Sequence, residues 1–343
     1  MQNNEFYLNR CIKIAKKGIG KVSPNPLVGC VIINNNEIIG EGYHEKYGDK
    51  HAEVNAINNV KNKDQLKTST LFVNLEPCCH HGKTPPCVDL IIKYKIPNVV
   101  IGSIDPFSKV QGKGIDKMRE YGIKVTTNTL KEESENLNRR FFTFHNKKRP
   151  YIILKWAKSS DGFIAPKNQK EPFWMTNKES KKLTHQWRAE EDAILIGRIT
   201  AEKDNPLLTV RETQGNNPIR ILIDRNLKIS KKLKIFNDDS KTIIFNDKIS
   251  ENLNTNTFLK VNFNKIISNI LKELYLQEVQ SIIIEGGTKT IQSFINEDLW
   301  DEARIFSTEK ILNDGVLAPK INGKLITKKK IKNNNLEIII SNK

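Results

Sequence analysis

The chain has 343 residues, 28% of them charged, and a formal net charge of +17 at pH 7. This length exceeds one ordinary domain and fits two domains of about 150 to 200 residues, each able to bury its own core. No uninterrupted apolar run approaches the roughly 18 residues that span a bilayer. The polar start, MQNNEFYLNR, lacks the apolar stretch of a secretory signal. These features exclude a membrane-spanning class, and we expect no membrane partner.

The net positive charge and the cysteine content indicate which binding partners and which cellular compartment to expect. A selected basic surface would attract nucleic acid or phosphorylated small molecules, because a positive field raises the on-rate of anions. Lysine, asparagine and isoleucine are frequent throughout the chain, however, and we favour the bias of an A+T-rich genome as their origin. Three of the five cysteines lie within residues 78–87, which suits a metal site in a reducing compartment. We therefore expect a cytoplasmic protein.

The first 145 residues read as alternating strands and helices. Apolar runs bounded by turn formers predict strands, and Pro85 and Pro86 suit the first turn of a helix that opens at Cys87. In chain order we predict strands over 27–33, 37–43, 70–75 and 98–103, and helices over about 51–60 and from 87 onward. The order β-β-α-β-α-β-α indicates a mixed sheet with helices on both faces.

The charged junction HNKKRP interrupts this pattern, and we place a domain boundary near residue 146. This gives an N-terminal domain of residues 1–146 and a C-terminal domain of residues 147–343. In the second domain we predict strands over 151–157, 193–197, 220–224, 241–245 and 281–287, and helices over about 178–190 and 264–276. The lysine- and asparagine-rich region 228–262 is weakly patterned. The sequence contains no G-x-G-x-x-G fingerprint in this half, so a Rossmann fold is not expected.

Two stretches of the first domain, HAEVNAINN from residue 51 and EPCCHHGKTPPC over 76–87, contain six side chains able to bind a metal. His51 and Glu53 lie about 200° apart around a helix, so they converge only at a helix end. There His51 can ligate, and Glu53 can approach a metal-bound water. Cys87 gains from the dipole of its own helix, which favours a thiolate. With Cys78 this gives three protein ligands and an open fourth position, the arrangement of catalytic zinc.

A closed structural zinc that uses four of the six candidates is the alternative. Structural sites usually show closely spaced cysteine pairs, whereas Cys78 and Cys87 are nine residues apart. Glu53 would also have no role in a closed site, so we favour the catalytic site. The three remaining candidates are expected to be loop residues: Cys79, His80 and His81.

The metal motif carries a family resemblance. HAE followed by PC and a later cysteine resembles the signature of zinc-dependent nucleobase and nucleoside deaminases. The spacing EPC-x8-C, together with SPNPLVG at 23–29, resembles the deaminase domain of the bifunctional riboflavin-biosynthesis deaminase/reductase. This resemblance implies a cytidine-deaminase-like three-layer α/β/α domain with a mixed sheet. It implies the zinc ligands His51, Cys78 and Cys87, the proton shuttle Glu53, and the substrate contacts Asn25, His44, Lys83 and Asp105. The family often has DPNP where this chain has DPFS, so Phe107 replaces a polar residue.

Four motifs of the second domain occur in the order expected of the reductase domain of the same family: LKWAKSSDGFIA (154–165), FWMT (173–176), LIGRITAEKDNPLLTVR (195–211) and IIIEGG (282–287). The strand–glycine–helix junction IIIEGGTKT suits a phosphate, because glycines let an anion approach backbone N–H groups closely. The resemblance implies a dihydrofolate-reductase-like α/β domain that binds NADPH. The implied cofactor contacts are Lys158, Trp174, Thr200, Asp204, Gly287, Thr288, Lys289, Thr290, Ile291, Gln292 and Ser293. The implied substrate contacts are Arg188, Leu208, Arg211 and Glu285.

We predict the roles of three further residues of this domain. Lys155 and Asp161 are expected to be structural. The family commonly has a serine after the aspartate of RILID, where this chain has Arg225. The charge of Arg225 can serve the 2'-phosphate of NADPH.

The resemblance implies a bifunctional enzyme of riboflavin biosynthesis. Its deaminase would hydrolyse 2,5-diamino-6-(5-phosphoribosylamino)pyrimidin-4-one, and its reductase would then give 5-amino-6-(5-phosphoribitylamino)uracil, with Zn²⁺ and NADPH as cofactors. We expect a phosphorylated small-molecule substrate, no nucleic acid, and a homo-oligomer, either dimer or tetramer. One alternative is a zinc-dependent tRNA or DNA base deaminase, which predicts PC-x-x-C spacing and a basic stripe with stacking aromatics. Another is a zinc-stabilised RNA-binding protein, which gives Glu53 no role.

Overall fold

The computed structural model describes residues 4–82, 84–169 and 171–342. Within these ranges no helix is long and apolar enough to cross a membrane. The contacts within the chain divide it into two units, between Lys148 and Arg149. Each unit has its own sheet and its own core.

The first unit has a mixed sheet with helices around it. Its strands are β1 (Gly29–Asn34), β2 (Glu37–Tyr43), β3 (Thr70–Leu75), β4 (Asn98–Ser103) and β5 (Lys124–Thr126). Its α-helices are α1 (Asn4–Ala15), α2 (Ala52–Asn59), α3 (Cys87–Lys93), α4 (Lys113–Glu120), α5 (Lys131–Leu137) and α6 (Arg139–Lys147). The sheet order is β2-β1-β3-β4-β5. Strand β1 is antiparallel to β2 and β3, whereas β3, β4 and β5 run parallel.

Strand β3 is buried on both faces, which makes this unit three-layered. Leu71 and Val73 pack in the cluster that α2, α3 and α4 form on one face. Phe72 points the other way and packs on α1, where its ring centroid lies 4.9 Å from that of Tyr7. Successive side chains of a strand point to opposite faces, so one short apolar strand joins the two helical layers.

The predicted elements of this unit agree with the structure in most places. The bounds of β2, β3 and β4 are those predicted, and β1 begins at Gly29 rather than at residue 27. Helix α1 was missed. Its buried stripe, which includes Tyr7, Leu8, Cys11 and Ile14, is interleaved with polar residues, and the stretch was considered only as a signal sequence.

The second unit has a larger sheet. Its strands are β6 (Tyr151–Lys158), β7 (Phe163–Pro166), β8 (Ala193–Gly197), β9 (Ile219–Ile223), β10 (Thr242–Asn246), β11 (Glu251–Leu253), β12 (Asn256–Lys260), β13 (Ser281–Gly286), β14 (Glu302–Thr308), β15 (Gly315–Leu317), β16 (Lys324–Ile331) and β17 (Asn334–Ile340). Its α-helices are α7 (Lys178–Glu190), α8 (Arg198–Asp204), α9 (Ile266–Leu276) and α10 (Thr288–Asn296). Ten strands form one sheet in the order β11-β12-β10-β9-β8-β13-β6-β14-β17-β16, and β7 pairs with β15 separately.

The centre of this sheet positions the second site. Strands β8, β13 and β6 are parallel neighbours, and their residues are almost all buried. Their carboxyl ends therefore meet at one edge, where ligands bind in open α/β sheets. Helices α8 and α10 begin directly after β8 and β13, so their N-termini lie at the same edge.

The sequence analysis predicted most of the buried strands of this unit but missed β14, which is also buried. The bounds of β8 and α7 are those predicted, and β9 ends at Ile223, one residue before the prediction. The weakly patterned region 228–262 contains β11 and β12 in addition to the predicted β10. These two strands lie at an edge of the sheet, where exposure weakens the apolar pattern.

Candidate functional site

The three predicted metal ligands converge in the first unit. His51 is the N-cap residue of α2, Cys87 is the first residue of α3, and Cys78 lies in the loop after β3. The Nδ1 atom of His51 lies 3.5 Å from Cys78 Sγ and 3.4 Å from Cys87 Sγ. Their ligand atoms lie within 4.8 Å of one another, and no other group of three is found in the described part of the chain.

The charge state of this cluster suits a metal. Hydrogen bonds from the Cys87 side chain and from His51 lower the pKa of the Cys78 thiol to about 4, whereas the hydrogen bond to Cys78 and burial raise the pKa of the Cys87 thiol. Cys78 is therefore the first thiolate of the cluster, and the thiolate expected at Cys87 requires the metal itself. The Cys87 backbone N–H also points at Cys78 Sγ, at 3.4 Å. A thiolate is the form of cysteine that binds metal. One imidazole and two thiolates are zinc donors, and three protein ligands leave the fourth tetrahedral position open.

Glu53 lies in the first turn of α2, beside the same cluster. It is 3% exposed, and its carboxyl group interacts with the Cys87 side chain. Burial raises the pKa of Glu53, and His51 acts against this shift. A buried carboxyl group at the edge of a metal site is placed to accept and return a proton. The predicted convergence of His51 and Glu53 at a helix end is therefore what the structure shows.

Asn25 and His44 form a pair next to the ligands. The Lys50 carbonyl accepts a hydrogen bond from His44 Nδ1 at 3.1 Å. Because a carbonyl can only accept, His44 Nε2 is left to accept from the Asn25 amide, also at 3.1 Å. The His44 and His51 rings are 5.3 Å apart in an edge-on contact. Burial lowers the pKa of His44, which fits this neutral tautomer.

Asp105 approaches the site from the loop after β4. It is 6% exposed, and its Oδ1 accepts a hydrogen bond from the Phe107 N–H at 2.7 Å. Burial raises the pKa of Asp105 to about 7, and the charges of Glu76 and Cys78 add to the shift. Lys83, the fourth predicted substrate contact, lies outside the described residues.

The loop between Cys78 and Cys87 carries the other candidate ligands. Cys79 Sγ donates to the Lys109 carbonyl at 3.7 Å, and the His80 ring packs edge-on against Phe107. Neither residue belongs to the three-ligand group, and His81 does not either. The structure thus places them in the connecting loop, as the sequence predicts.

Sequence reasoning missed Thr84 in this loop. Its Oγ1 lies 3.3 Å from His51 Nε2. When His51 Nδ1 binds a metal, the ring proton is on Nε2, which then donates to Thr84 Oγ1. A ligating histidine usually donates its second N–H in this way, which fixes its tautomer and orientation. That general requirement was the available signal, but the spacing alone did not select Thr84.

The second unit contains a cavity of about 970 Å³ at the carboxyl edge of β6, β8 and β13. This volume is at the upper end for ligand pockets, which are about 300–1,000 Å³. Twelve predicted residues line the cavity. They are Trp174, Thr200, Asp204, Gly287, Thr288, Lys289, Thr290, Ile291, Arg188, Leu208, Arg211 and Glu285. Lys158, Gln292 and Ser293 are described but lie outside this lining.

A group of buried charges forms one wall of the cavity. Glu285 accepts two hydrogen bonds from Arg188, at 2.8 Å (Nη2) and 3.3 Å (Nε), and the two side chains are only 9% and 11% exposed. Burial alone raises the pKa of Glu285, but Arg188 and Lys155 overcome it and hold the pKa at about 2. Lys155 lines the cavity as well. Lys155, which was expected to be structural, therefore lies at the site.

The glycine junction allows close packing at the opposite wall. A Cβ atom on Gly197, at the end of β8, would lie 2.9 Å from Thr290 Oγ1 on α10. A Cβ atom on Gly287 would lie 3.1 Å from Thr200 Oγ1 on α8. Glycine therefore lets the N-termini of both helices approach each other, and helix N-termini favour phosphate.

Two other residues with predicted roles in the second unit have defined contacts. Arg225 forms an ion pair with Asp247 at 2.9 Å, is 60% exposed, and does not line the cavity. The ion pair with Asp247 does not test whether Arg225 serves the 2'-phosphate of NADPH, and that expectation stays a prediction. Asp161 accepts hydrogen bonds from the Leu312 and Asn313 N–H groups, which is the structural role expected.

The two sites define a zinc-dependent deaminase joined to a reductase in one chain. Residues 1–103 match the family model of the cytidine and deoxycytidylate deaminase zinc-binding region, and residues 150–337 match that of the RibD C-terminal domain. The chain belongs to the RibD family of riboflavin-biosynthesis proteins, and it is a bifunctional deaminase/reductase.

Curated relatives and solved structures agree over nearly the full length. The riboflavin biosynthesis protein RibD of Aquifex aeolicus (strain VF5) is 39% identical over 318 residues, with 90% of this chain and 88% of the relative covered. That of Escherichia coli (strain K12) is 32% identical over 327 residues, with 90% and 88% covered. A crystal structure of a Thermotoga maritima diaminohydroxyphosphoribosylaminopyrimidine deaminase/5-amino-6-(5-phosphoribosylamino)uracil reductase has a TM-score of 0.90 and 35% identity, covering 98% of both chains. Acinetobacter baumannii RibD has a TM-score of 0.90 at 27% identity, covering 99% of both.

These matches confirm the predicted fold class, with a cytidine-deaminase-like first domain and a dihydrofolate-reductase-like second one. They also confirm the predicted riboflavin-pathway function and the cofactors Zn²⁺ and NADPH. The alternatives, a nucleic-acid base deaminase and a zinc-stabilised RNA-binding protein, are not favoured by any of them.

Proposed function

We propose that residues 1–146 deaminate 2,5-diamino-6-(5-phosphoribosylamino)pyrimidin-4-one and that residues 147–343 then reduce its ribosyl side chain to ribityl with NADPH. The observation that carries the first half is the convergence of His51, Cys78 and Cys87 beside the buried Glu53. The reductase half is supported by the cavity that the predicted cofactor and substrate residues line together.

In the deaminase, His51, Cys78 and Cys87 would hold zinc, which would supply the Lewis acidity that makes water nucleophilic near neutral pH. Glu53 accepts a proton from the attacking water and delivers it to the departing amine. The new bond joins the water oxygen to the pyrimidine carbon, the exocyclic C–N bond breaks, and ammonia leaves. Burial favours this role, because Glu53 exchanges its proton without competition from bulk water.

The other deaminase residues bind substrate. The Asn25 amide and the His44 ring form one polar wall, and Asp105 forms another from the loop after β4. We propose Lys83 as the cation that meets the 5-phosphate, since an ammonium group binds phosphate as a point charge. The buried environment of these side chains favours hydrogen bonds that discriminate between substrates.

In the reductase, NADPH supplies hydride to C1' of the sugar, and the chain supplies orientation and charge neutralisation. Arg188 and Arg211 bind the anionic substrate, with Leu208 and Glu285 completing its wall. The cofactor contacts are Trp174, Thr200, Asp204 and the segment from Gly287 to Ile291. Two basic side chains suit this task, because guanidinium groups bind phosphate bidentately.

The test is an assay of the purified chain with the diaminopyrimidine ribosyl phosphate, in which ammonia release and NADPH consumption are followed separately. Glu53→Ala should lose ammonia release and keep one zinc per chain, while the exposed Glu45→Ala serves as the matched control and keeps both. NADPH consumption on the already deaminated intermediate should survive in both variants. Ammonia release at the normal rate by Glu53→Ala, or ammonia without any NADPH oxidation in the native chain, would contradict the proposal.

Two predictions about the assembled protein stay predictions. We propose a homo-oligomer, dimer or tetramer, which light scattering of the purified chain measures directly. The cytoplasmic location, inferred from the crowded cysteines, is likewise a proposal that fractionation of the source cells tests.

A further inference from the structure

Glu76 is a buried carboxylate for which the deaminase mechanism has no task. It follows β3 and precedes the zinc ligand Cys78 by two residues, and it is 3% exposed. Both of its oxygens accept hydrogen bonds from backbone N–H groups of one other segment. The donors are Asp105 (3.2 Å) and Gly112 (2.9 Å) on Oε2, and Gly114 (3.1 Å) and Ile115 (3.4 Å) on Oε1.

One end of this arrangement caps helix α4. The N-cap residue of α4, Gly112, has a positive φ of 84° and no side chain to accept the first N–H groups. Glu76 takes over that acceptor role from a distant part of the chain, and its negative charge suits the positive end of the helix dipole. A Cβ atom on Gly114 would lie 2.6 Å from the Pro77 carbonyl oxygen. Glycine therefore lets α4 come close enough for the contact.

The other end holds Asp105. The Asp105 N–H donates to Glu76, and the Asp105 carboxylate folds back to accept from the Phe107 N–H at 2.7 Å. The Asp105 backbone is thus held by Glu76, and the Asp105 carboxylate is held by the Phe107 N–H. Replacing Glu76 removes the backbone contact, while the contact with Phe107 is local and remains. The loop from 105 to 112 then loses its attachment to the end of β3, although Cys79 and His80 still contact it at Lys109 and Phe107.

We propose that Glu76 is a positioning residue of the deaminase: by joining the backbone of Asp105 to the N-terminus of α4, it sets where the Asp105 carboxylate meets the substrate. This rests on the proposed function, in which Asp105 is a substrate contact. Glu76 itself touches neither substrate nor zinc. In this proposal it acts on the reaction through the position of Asp105.

The first test is Glu76→Gln, which keeps the shape but replaces one acceptor oxygen by an NH₂ group that faces N–H donors. We expect kcat/KM for ammonia release to fall about 10- to 100-fold, the range for residues that orient a site from behind. The fall should come mainly from KM, because Asp105 binds substrate. The zinc content should stay at one per chain. Glu135→Gln is the matched control, since Glu135 accepts a single hydrogen bond from Ser103 near the same loop and should leave KM unchanged.

A double-mutant cycle separates positioning from general stability. Asp105→Ala alone should raise KM, and adding Glu76→Gln to it should cause no further loss, because the group that Glu76 positions is gone. Losses that multiply would overturn the inference. If Asp105→Ala has no effect on ammonia release, its proposed role fails, and this inference fails with it, while the Glu53 assay still tests the deaminase itself.

Two further readouts guard against a variant that does not fold. The reductase activity of the same chain, measured on the deaminated intermediate, should stay within about twofold of native for Glu76→Gln if the second unit folds independently. In the native protein, hydrogen exchange should show the N–H groups of Gly112 and Gly114 protected to the level of core amides. Exchange at the rate of an open loop would overturn the inference without any variant.

Discussion

Glu285→Gln is the sharpest perturbation of the reductase cavity. In the native protein, one buried carboxylate faces two cations, Arg188 and Lys155, and the Glu285–Arg188 pair is 9% and 11% exposed. Glutamine keeps the volume but leaves both cations without a counter-charge. Arg188→Met removes a charge as well, but Glu285 then keeps Lys155 as its partner. The two substitutions therefore have different costs although they break the same ion pair.

The magnitudes follow from this charge count. Removing one partner of a buried ion pair costs about 3–5 kcal/mol when an uncompensated charge remains, which is the situation in Glu285→Gln. Arg188→Met leaves a balanced pair and loses mainly its hydrogen bonds, so about 1–3 kcal/mol is expected. For a unit of this size, each kcal/mol lowers Tm by about 2–4 °C, so Glu285→Gln should lower it by about 6–20 °C.

The assay is calorimetry of the full chain, in which the transition of the second unit is identified by its response to NADPH. Added inorganic phosphate should raise Tm more for Glu285→Gln than for the native protein, since an anion replaces the missing charge and binding to the folded state is stabilising. The reasoning about uncompensated charge is wrong if Arg188→Met destabilises the protein more than Glu285→Gln does. It is also wrong if phosphate stabilises the native protein and Glu285→Gln equally.

Three other predictions concern pH, a buried amide and the zinc site. Because the pKa of Glu285 is held at about 2, below its ordinary value of about 4.3, it contributes stability above pH 4.3 that is lost as pH falls toward 2; urea unfolding should show this acid loss in the native protein and not in Glu285→Gln. Asn74→Ala removes an amide that accepts from and donates to the backbone of residues 27–29 at 2.7 and 2.9 Å. This substitution should lower the free energy of unfolding by about 1–3 kcal/mol and raise KM for ammonia release. An unchanged KM contradicts this prediction. Thr84→Val should weaken zinc binding about 10- to 100-fold in competition with a chelating dye, while Thr84→Ser, which keeps the acceptor for His51, should not; equal affinities refute the assigned tautomer.

The sequence predicted best where burial is complete. Strands β3, β4 and β8 are buried on both faces, so they read as short apolar runs with clear ends. The ligands His51 and Cys87 could be placed because each sits at a helix start, where geometry limits what a side chain can reach. Both kinds of prediction depend on the residue types at neighbouring positions in the chain, which can be read directly from a single sequence.

The sequence misled where a residue breaks its local pattern. Lys155 interrupts the apolar run YIILKWA of β6, and a lysine buried within a strand is costly unless it faces a partner. That cost was the available signal that Lys155 lines a site beside Glu285. The partner of Arg225 could not be predicted, because Asp247 lies 22 residues away in the chain.

Other contacts lie beyond any local pattern. Glu76 is 29 residues from Asp105 and 38 from Gly114, and His51 is 33 residues from Thr84. Only the packing of α4 and of the 78–87 loop against the sheet brings these groups together. A single sequence carries no periodicity that links such positions.

The exit of strand β3 also determines which changes of length this domain accepts. Asn74, Glu76 and Cys78 alternate along five residues, and they contact three different segments: residues 27–29 at the start of β1, the start of α4, and the metal cluster. Inserting or deleting one residue here turns all three side chains away from their partners together. The described residues 79–82 make fewer such contacts, with Cys79 on the Lys109 carbonyl and His80 on Phe107. A change of length should therefore disturb the fold more at 74–78 than at 79–82.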